Sequence, residues 1–165
     1  MSLKKSITKK IIFKIIKERF INEVPFLQLL GVKVAKFDYP DVVLELKWKN
    51  DLVGNVIQKS LHGGVSAAVL DSIGSLVAVA HFISNEETLT AEYLKNRISH
   101  MGTIDLRTDY LLPSRGSLFT ATGKVERAGK RVTVCRMKMF NYKNQCIALG
   151  TGSYLWSDKN QNDKK

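Results

Sequence analysis

Cysteine, histidine and proline are all sparse in this sequence: its 165 residues include two, three and three of them. Cys135 and Cys146 lie in strand-like runs. No secretory apolar core follows the basic N-terminal residues, because lysines recur through Lys17. The pair is therefore expected to be two reduced, packed thiols of a cytoplasmic protein, not a disulfide framework. His62, His81 and His100 are far apart in sequence, and the Asp and Cys spacing matches no known ligand set, so no metal site is predicted. No repeat and no linker divides the chain. Apolar residues make up 44% and charged residues 25%, the composition of one soluble domain long enough to bury a core.

Acidic residues are also in the minority, 15 against 26 Lys and Arg, for a net charge of +11. The excess is uneven. Residues 1–19 carry Lys4, Lys5, Lys9, Lys10, Lys14, Lys17 and Arg19 against Glu18 alone. The rest is scattered, and no helix-turn-helix, zinc or aromatic-strand signature accompanies it, so a nucleic-acid partner is not expected. A solvated lysine face accounts for most of the charge, with local attraction for an anionic ligand as the second reading.

Charge is scarcest between Lys59 and Glu86, where Asp71 is the one formally charged side chain. This stretch opens on Leu61-His62-Gly63-Gly64 and stays apolar to Ile83. It contains two His, Gly, Ser and Asp, which marks a buried core helix and not a membrane span; no membrane insertion is expected. A lone carboxylate in apolar surroundings is costly unless it is paired, at a surface, or employed.

Before this helix, Ile7, Ile11, Ile12, Ile15, Ile16 and Phe20 recur at helical spacing between lysines, predicting an amphipathic helix over 6–22 that ends before Pro25. A short turn of helix over 26–30 stops at Gly31. Val32–Asp38 and Val42–Trp48 alternate as strands around Tyr39-Pro40-Asp41. Residues 50–60 read as a polar loop, and 85–99 as a surface helix or excursion. Four strands follow, over 103–111, 118–125, 132–140 and 146–156, joined by turns at 113–116, 127–130 and 141–144. Strand, strand, long apolar helix and four strands make an α+β fold in which an antiparallel sheet encloses one helix. The predicted division is a basic helix over 1–25, the main domain over 26–156 and a disordered polar tail over 157–165.

At these residues the chain resembles the hotdog-fold acyl-CoA thioesterases, in particular the phenylacetate-type branch with a His-Gly-Gly motif. The resemblance rests on Leu61-His62-Gly63-Gly64, on Asp71 nine positions after His62, and on Gly102-Thr103 through Asp109-Tyr110-Leu-Leu-Pro113. Arg127-x-Gly129-x-Arg131 and Ala148-x-Gly150-x-Gly152-x-Tyr154 extend it, so that it covers residues 26–156. It implies a hotdog fold with the basic helix as an N-terminal addition. It also implies an acyl-CoA substrate, no cofactor beyond the substrate's own coenzyme A, and a homodimer or a dimer of dimers. Asp71 would be nucleophile or general base, the Gly63 and Gly64 amides would polarise the carbonyl, and Thr103 would help position water. Some members add an Asn shortly before the His; Asn55 is the nearest candidate, with Gln58 as the alternative.

The chemistry is coherent. Thioester hydrolysis needs donors for the developing oxyanion and a base or nucleophile at the carbonyl carbon. Helix-start amides lack intrahelical partners and sit at the positive end of the dipole. Adjacent glycines let a ligand approach them closely. Asp71 is suited either to attack or to deprotonating water, and the sequence does not choose between these. Gly63 and Asp71 are eight residues apart, about 12 Å along a helix axis, too far for one carbonyl to reach both. Two antiparallel helices across a two-fold axis remove the difficulty, so a dimer with shared sites is expected. His62 is read chiefly as a helix-start hydrogen-bonding residue, and His81 and His100 as structural. Asp105 and Asp109 are assigned to a strand's polar face. Arg115, Arg127, Lys130 and Arg131, all at turns, are candidates for the coenzyme A phosphates or are simply solvated. The alternative function is a non-catalytic acyl-CoA or lipid-binding hotdog protein, which would need neither Asp71 nor Thr103. A hotdog hydratase is disfavoured by the Gly-Gly-to-Asp71 arrangement.

Overall fold

In the computed structural model, residues 2–18 and 23–157 are described. Period-2 hydrophobicity dictates the sheet. In β2 (Val42–Lys47), Val42, Leu44 and Leu46 are buried while the residues between them are partly exposed. In β7 (Val132–Asn141), Thr133, Cys135, Met137 and Met139 alternate inward in the same way. With β1 (Val32–Phe37), β6 (Leu118–Ala128), β8 (Cys146–Trp156) and β5 (Met101–Tyr110) these form one six-stranded sheet, ordered β1-β2-β6-β7-β8-β5 and antiparallel throughout. A small ribbon, β3 (Val53–Asn55) with β4 (Ser60–Leu61), replaces the plain loop expected there.

The long helix α3 (Gly63–Asn85) packs along one face of the sheet, chiefly against β6, β7 and β8. Val69, Leu70, Ile73, Val77, Ala80 and Ile83 form its buried side. This is the hotdog layout. By length and composition α3 is apolar enough to cross a membrane, yet here it is the core helix.

The enclosure is less complete than the sequence led us to expect. Gly63, Ala67, Asp71 and Ser75, each four residues from the last, form a half-buried stripe turned from the middle of the sheet toward its β5 edge. Small and polar residues leave this face cheap to expose, so the sheet need cover only the opposite side. The stripe's Ser75 end lies near α1 (Ser2–Ile16), the expected N-terminal helix, whose predicted limit of 22 falls outside the described residues. Residues 19–22 and the tail from 158, including Phe20, lie outside the described residues. Phe13 and Ile16 anchor α1, with the Phe13 ring edge-on to Phe37 at 5.2 Å, and Lys9 Nζ donates to the Ser84 carbonyl. Helix α2 (Pro25–Leu30) precedes β1, and α4 (Ala91–Ser99), capped by Thr90 Oγ1 accepting from Tyr93 N, fills the segment read as a surface helix or excursion.

Both cysteines are free thiols. Burial, aided by the charge of Glu126, pushes the Cys135 thiol up to about 12. Only the thiolate is nucleophilic. Iodoacetamide at pH 8 is therefore expected to modify the folded protein at Cys146 alone, and both cysteines after denaturation, as read by mass spectrometry.

Candidate active site

His62 is the N-cap of α3, in extended conformation (φ −61°, ψ 137°), and its Nδ1 accepts from Gly64 N at 2.9 Å. That bond assigns the remaining ring proton to Nε2. It also spends the Gly64 amide on the cap. Gly63, at the first helical position, keeps a free N–H among the described residues, because a helix's first amides have no intrahelical acceptor. The turn is held from several sides. His62 N donates to the Leu52 carbonyl (2.8 Å), Leu61 N to the Ser114 carbonyl (3.0 Å), and the Tyr110 hydroxyl to the Gly63 carbonyl (2.8 Å). Gly54 lies so close that a Cβ there would fall 2.4 Å from His62 Cα.

Two turns along α3, Thr103 Oγ1 donates to Asp71 Oδ1 at 2.9 Å, leaving Oδ2 without a partner among the described residues. The Tyr154 hydroxyl, buried on the sheet side, donates to the Asp71 carbonyl at 3.0 Å. Burial, and then the Asp71 charge, push this phenol above its ordinary range, so it stays a donor. Room for its ring comes from Gly74 and Gly152, where a Cβ would stand 1.9 Å and 2.7 Å from the hydroxyl. Tyr154 thus pins the backbone carrying Asp71. Gly74→Ala is expected to displace the ring and cost about 1–3 kcal/mol, and Tyr154→Phe about 1 kcal/mol, both read from urea denaturation midpoints.

The other candidates are dispersed. Asn55 Oδ1 accepts from Gln58 N (2.9 Å), closing the turn between β3 and β4, and Gln58 Oε1 accepts from Arg115 Nη2 (3.1 Å). Arg115 precedes β6, whereas Arg127, Lys130 and Arg131 lie at its far end. The separation along the strand is roughly 30 Å, so one chain does not bring the four together. His81 packs against Tyr39 and accepts or donates with Asn85; burial lowers its pKa. His100 caps α4 and bonds the Asn96 carbonyl. Asp109 pairs with Arg107 on the strand surface. Among the described residues no three His, Cys, Asp or Glu side chains are grouped as a metal would need. Tyr110 and Tyr154, which hold the two halves of the helix, were given no role in the sequence; the motifs Asp109-Tyr110-x-x-Pro113 and Gly152-x-Tyr154 were their only signal.

A hotdog domain with a free amide at the helix start and a hydroxyl-bonded carboxylate two turns later is a distinct class of site. The thioesterase superfamily model matches residues 58–148, which include both halves, and the chain belongs to that family. It is 40% identical over 142 residues to the medium/long-chain acyl-CoA thioesterase YigI of Escherichia coli, covering 86% of this chain and 92% of YigI. A crystal structure from Shewanella oneidensis, of a protein related to the thioesterase superfamily, superposes with a TM-score of 0.84 at 40% identity, covering 95% of this chain and all of the other. The PaaI protein of the E. coli phenylacetic acid degradation operon superposes with a TM-score of 0.67 at 18% identity over 85% of this chain and 89% of PaaI. That likeness shows the shared fold alone and does not establish the phenylacetate-type branch.

Proposed function

We propose that the protein is a cytoplasmic homodimeric acyl-CoA thioesterase, hydrolysing an acyl-CoA to free acid and coenzyme A, related in motif to the phenylacetate-type branch. The observation that carries this is the 2.9 Å hydrogen bond from Thr103 to Asp71, which orients a carboxylate on an accessible helix face with one oxygen to spare. The name of the relative YigI supports the substrate class. Asp71 attacks the thioester carbonyl or draws a proton from water that does so; Thr103 fixes the carboxylate rotamer and the water. The coenzyme A thiolate departs and takes a proton; in the first route water then cleaves the acyl–Asp71 anhydride, releasing the free acid and restoring the carboxylate. A protein that only held acyl-CoA would have no use for an oriented carboxylate beside the thioester.

The oxyanion donor is the partner subunit's Gly63 N–H, with Gly64 available where its bond to His62 opens. Facing Gly63 of one helix with Asp71 of another, antiparallel, puts the two-fold axis at Ala67, the small residue midway on the half-buried stripe. A second surface favours the same pairing. β5 is a sheet edge of 10 residues, mostly exposed, with Ile104 and Tyr110 more than half accessible. Such an edge is a template for another strand. Antiparallel pairing also carries one subunit's Arg127, Lys130 and Arg131 toward the end where its partner holds Arg115. The coenzyme A phosphates are assigned to that combined set. Thiol release from a panel of acyl-CoAs tests the reading, and no release from any of them would overturn it.

A further inference from the structure

Thr103 belongs to two features at once. Besides orienting Asp71, it lines the mouth of an apolar cleft of about 310 Å³. Ser75, Leu76 and Val79 of α3 form the cleft's floor. Ile98 at the end of α4 forms one wall and Ile16 at the end of α1 the other. Ser75 continues the stripe of Gly63, Ala67 and Asp71, so the cleft begins one helical turn beyond the carboxylate. The mouth is open beside Thr103, where a Cβ on Gly102 would meet nothing within 4 Å. Ile16 and Ile98 also line a second cleft, of about 340 Å³, between α1 and α4, where Ile12, Ile15, Leu89 and Leu94 complete an almost wholly apolar surface. The two spaces meet at these two shared side chains.

We infer that these two clefts are one binding groove for a long aliphatic acyl chain, and that the N-terminal helix α1 and α4 set the chain length the enzyme accepts. This rests on the thioesterase reading above for the identity of the occupant. From Asp71 to Val79 is about 12 Å along the helix. An extended chain of that length contains roughly ten bonds, since three backbone bonds span 3.3–3.6 Å in an extended peptide. The first cleft thus accounts for a medium chain, and the space between α1 and α4 for its continuation. An acetyl or a small aromatic acyl group would leave most of this apolar surface unused. Each methylene buried there is worth roughly fourfold in affinity. Lys10 and Lys14 of α1 are exposed and stand clear of the groove.

Two variants and two readouts test the assignment. Ile98→Trp fills the junction of the clefts; Ile15→Asp places a charge on the outer wall at a position already 45% exposed, where the fold tolerates it. Thiol release is measured with butanoyl-, octanoyl-, dodecanoyl- and hexadecanoyl-CoA, and binding of the non-hydrolysable thioether S-dodecyl-CoA by calorimetry. Ile98→Trp is expected to lower the dodecanoyl-to-butanoyl ratio of kcat/KM at least ~10-fold and to weaken S-dodecyl-CoA binding by a similar factor, the loss of two or more buried methylenes. Ile15→Asp is expected to lower the hexadecanoyl-to-octanoyl ratio. If both variants keep the wild-type profile and affinity, the groove is wrong while the thioesterase reading stands. If no substrate turns over but Ile98→Trp or Ile15→Asp weakens thioether binding, hydrolysis is wrong and the groove stands. Failure of both binding and turnover in the wild type overturns both.

Discussion

Asp71→Ala is expected to lower thiol release from the best acyl-CoA substrate at least ~10²-fold while the protein keeps its fold. The stability side of that expectation follows from the local contacts. Asp71 is half-buried on the outer stripe of α3, and its side chain accepts from Thr103. Its backbone carbonyl, bonded to Tyr154, survives the substitution. Alanine also has the highest helix propensity, so α3 loses nothing intrinsic. The activity side follows from chemistry: no other carboxylate on the described stripe of α3 stands in for the missing base or nucleophile. Thr103→Val should be milder, roughly tenfold, the rate equivalent of about 1.5 kcal/mol for one hydrogen bond to a charged group. Undiminished release in Asp71→Ala would remove the carboxylate from the mechanism and with it the proposed site.

What the sequence made visible, and what it did not, divides along the range of the interactions. Strands β7 and β8 were legible to within a residue because Asn141 to Asn144 punctuate them and their apolar residues alternate. His62, Gly63, Gly64 and Asp71 were legible as a group because they lie on one helix, where spacing converts directly to distance. Thr103 was placed only through family resemblance, since its partner is 32 residues away. Tyr110 and Tyr154 reach the helix across 47 and 83 residues, and no local pattern announces such contacts. The packing of α1 was illegible for a related reason: the series from Ile7 to Phe20 marks helical spacing, but Phe13, outside the series, is an anchor. Sequence spacing ranked the isoleucines equally. Tertiary packing buried Ile16 and left Ile11 and Ile15 exposed, which is how α1 comes to face α4 across a groove.

The same conversion of spacing to distance yields the sharper test, because it demands that two chains build each site. Gly63→Pro removes the free amide with little cost to the helix. Proline is well suited to the first helical position, where its missing N–H has no intrahelical partner. His62 already has the extended backbone that precedes proline (φ −61°, ψ 137°). The nearest side chain, the Tyr110 hydroxyl, lies 3.3 Å from a Cβ at this position and is solvent-exposed enough to yield. Gly63→Pro is expected to remain a dimer by light scattering and to lose roughly 10²–10³ in kcat, the usual cost of one oxyanion donor. Mixed after reversible dissociation with Asp71→Ala, the two inactive proteins should recover activity. In a heterodimer one site takes Gly63 from the Asp71→Ala chain and Asp71 from the Gly63→Pro chain, and is intact; the other site carries both lesions. Random exchange makes half the dimers mixed, so about a quarter of wild-type activity should return. A site contained in one chain could regain nothing, since every chain in the mixture carries a lesion. Recovery therefore requires that α3 serve two active sites, giving its first turn to one and its carboxylate to the other.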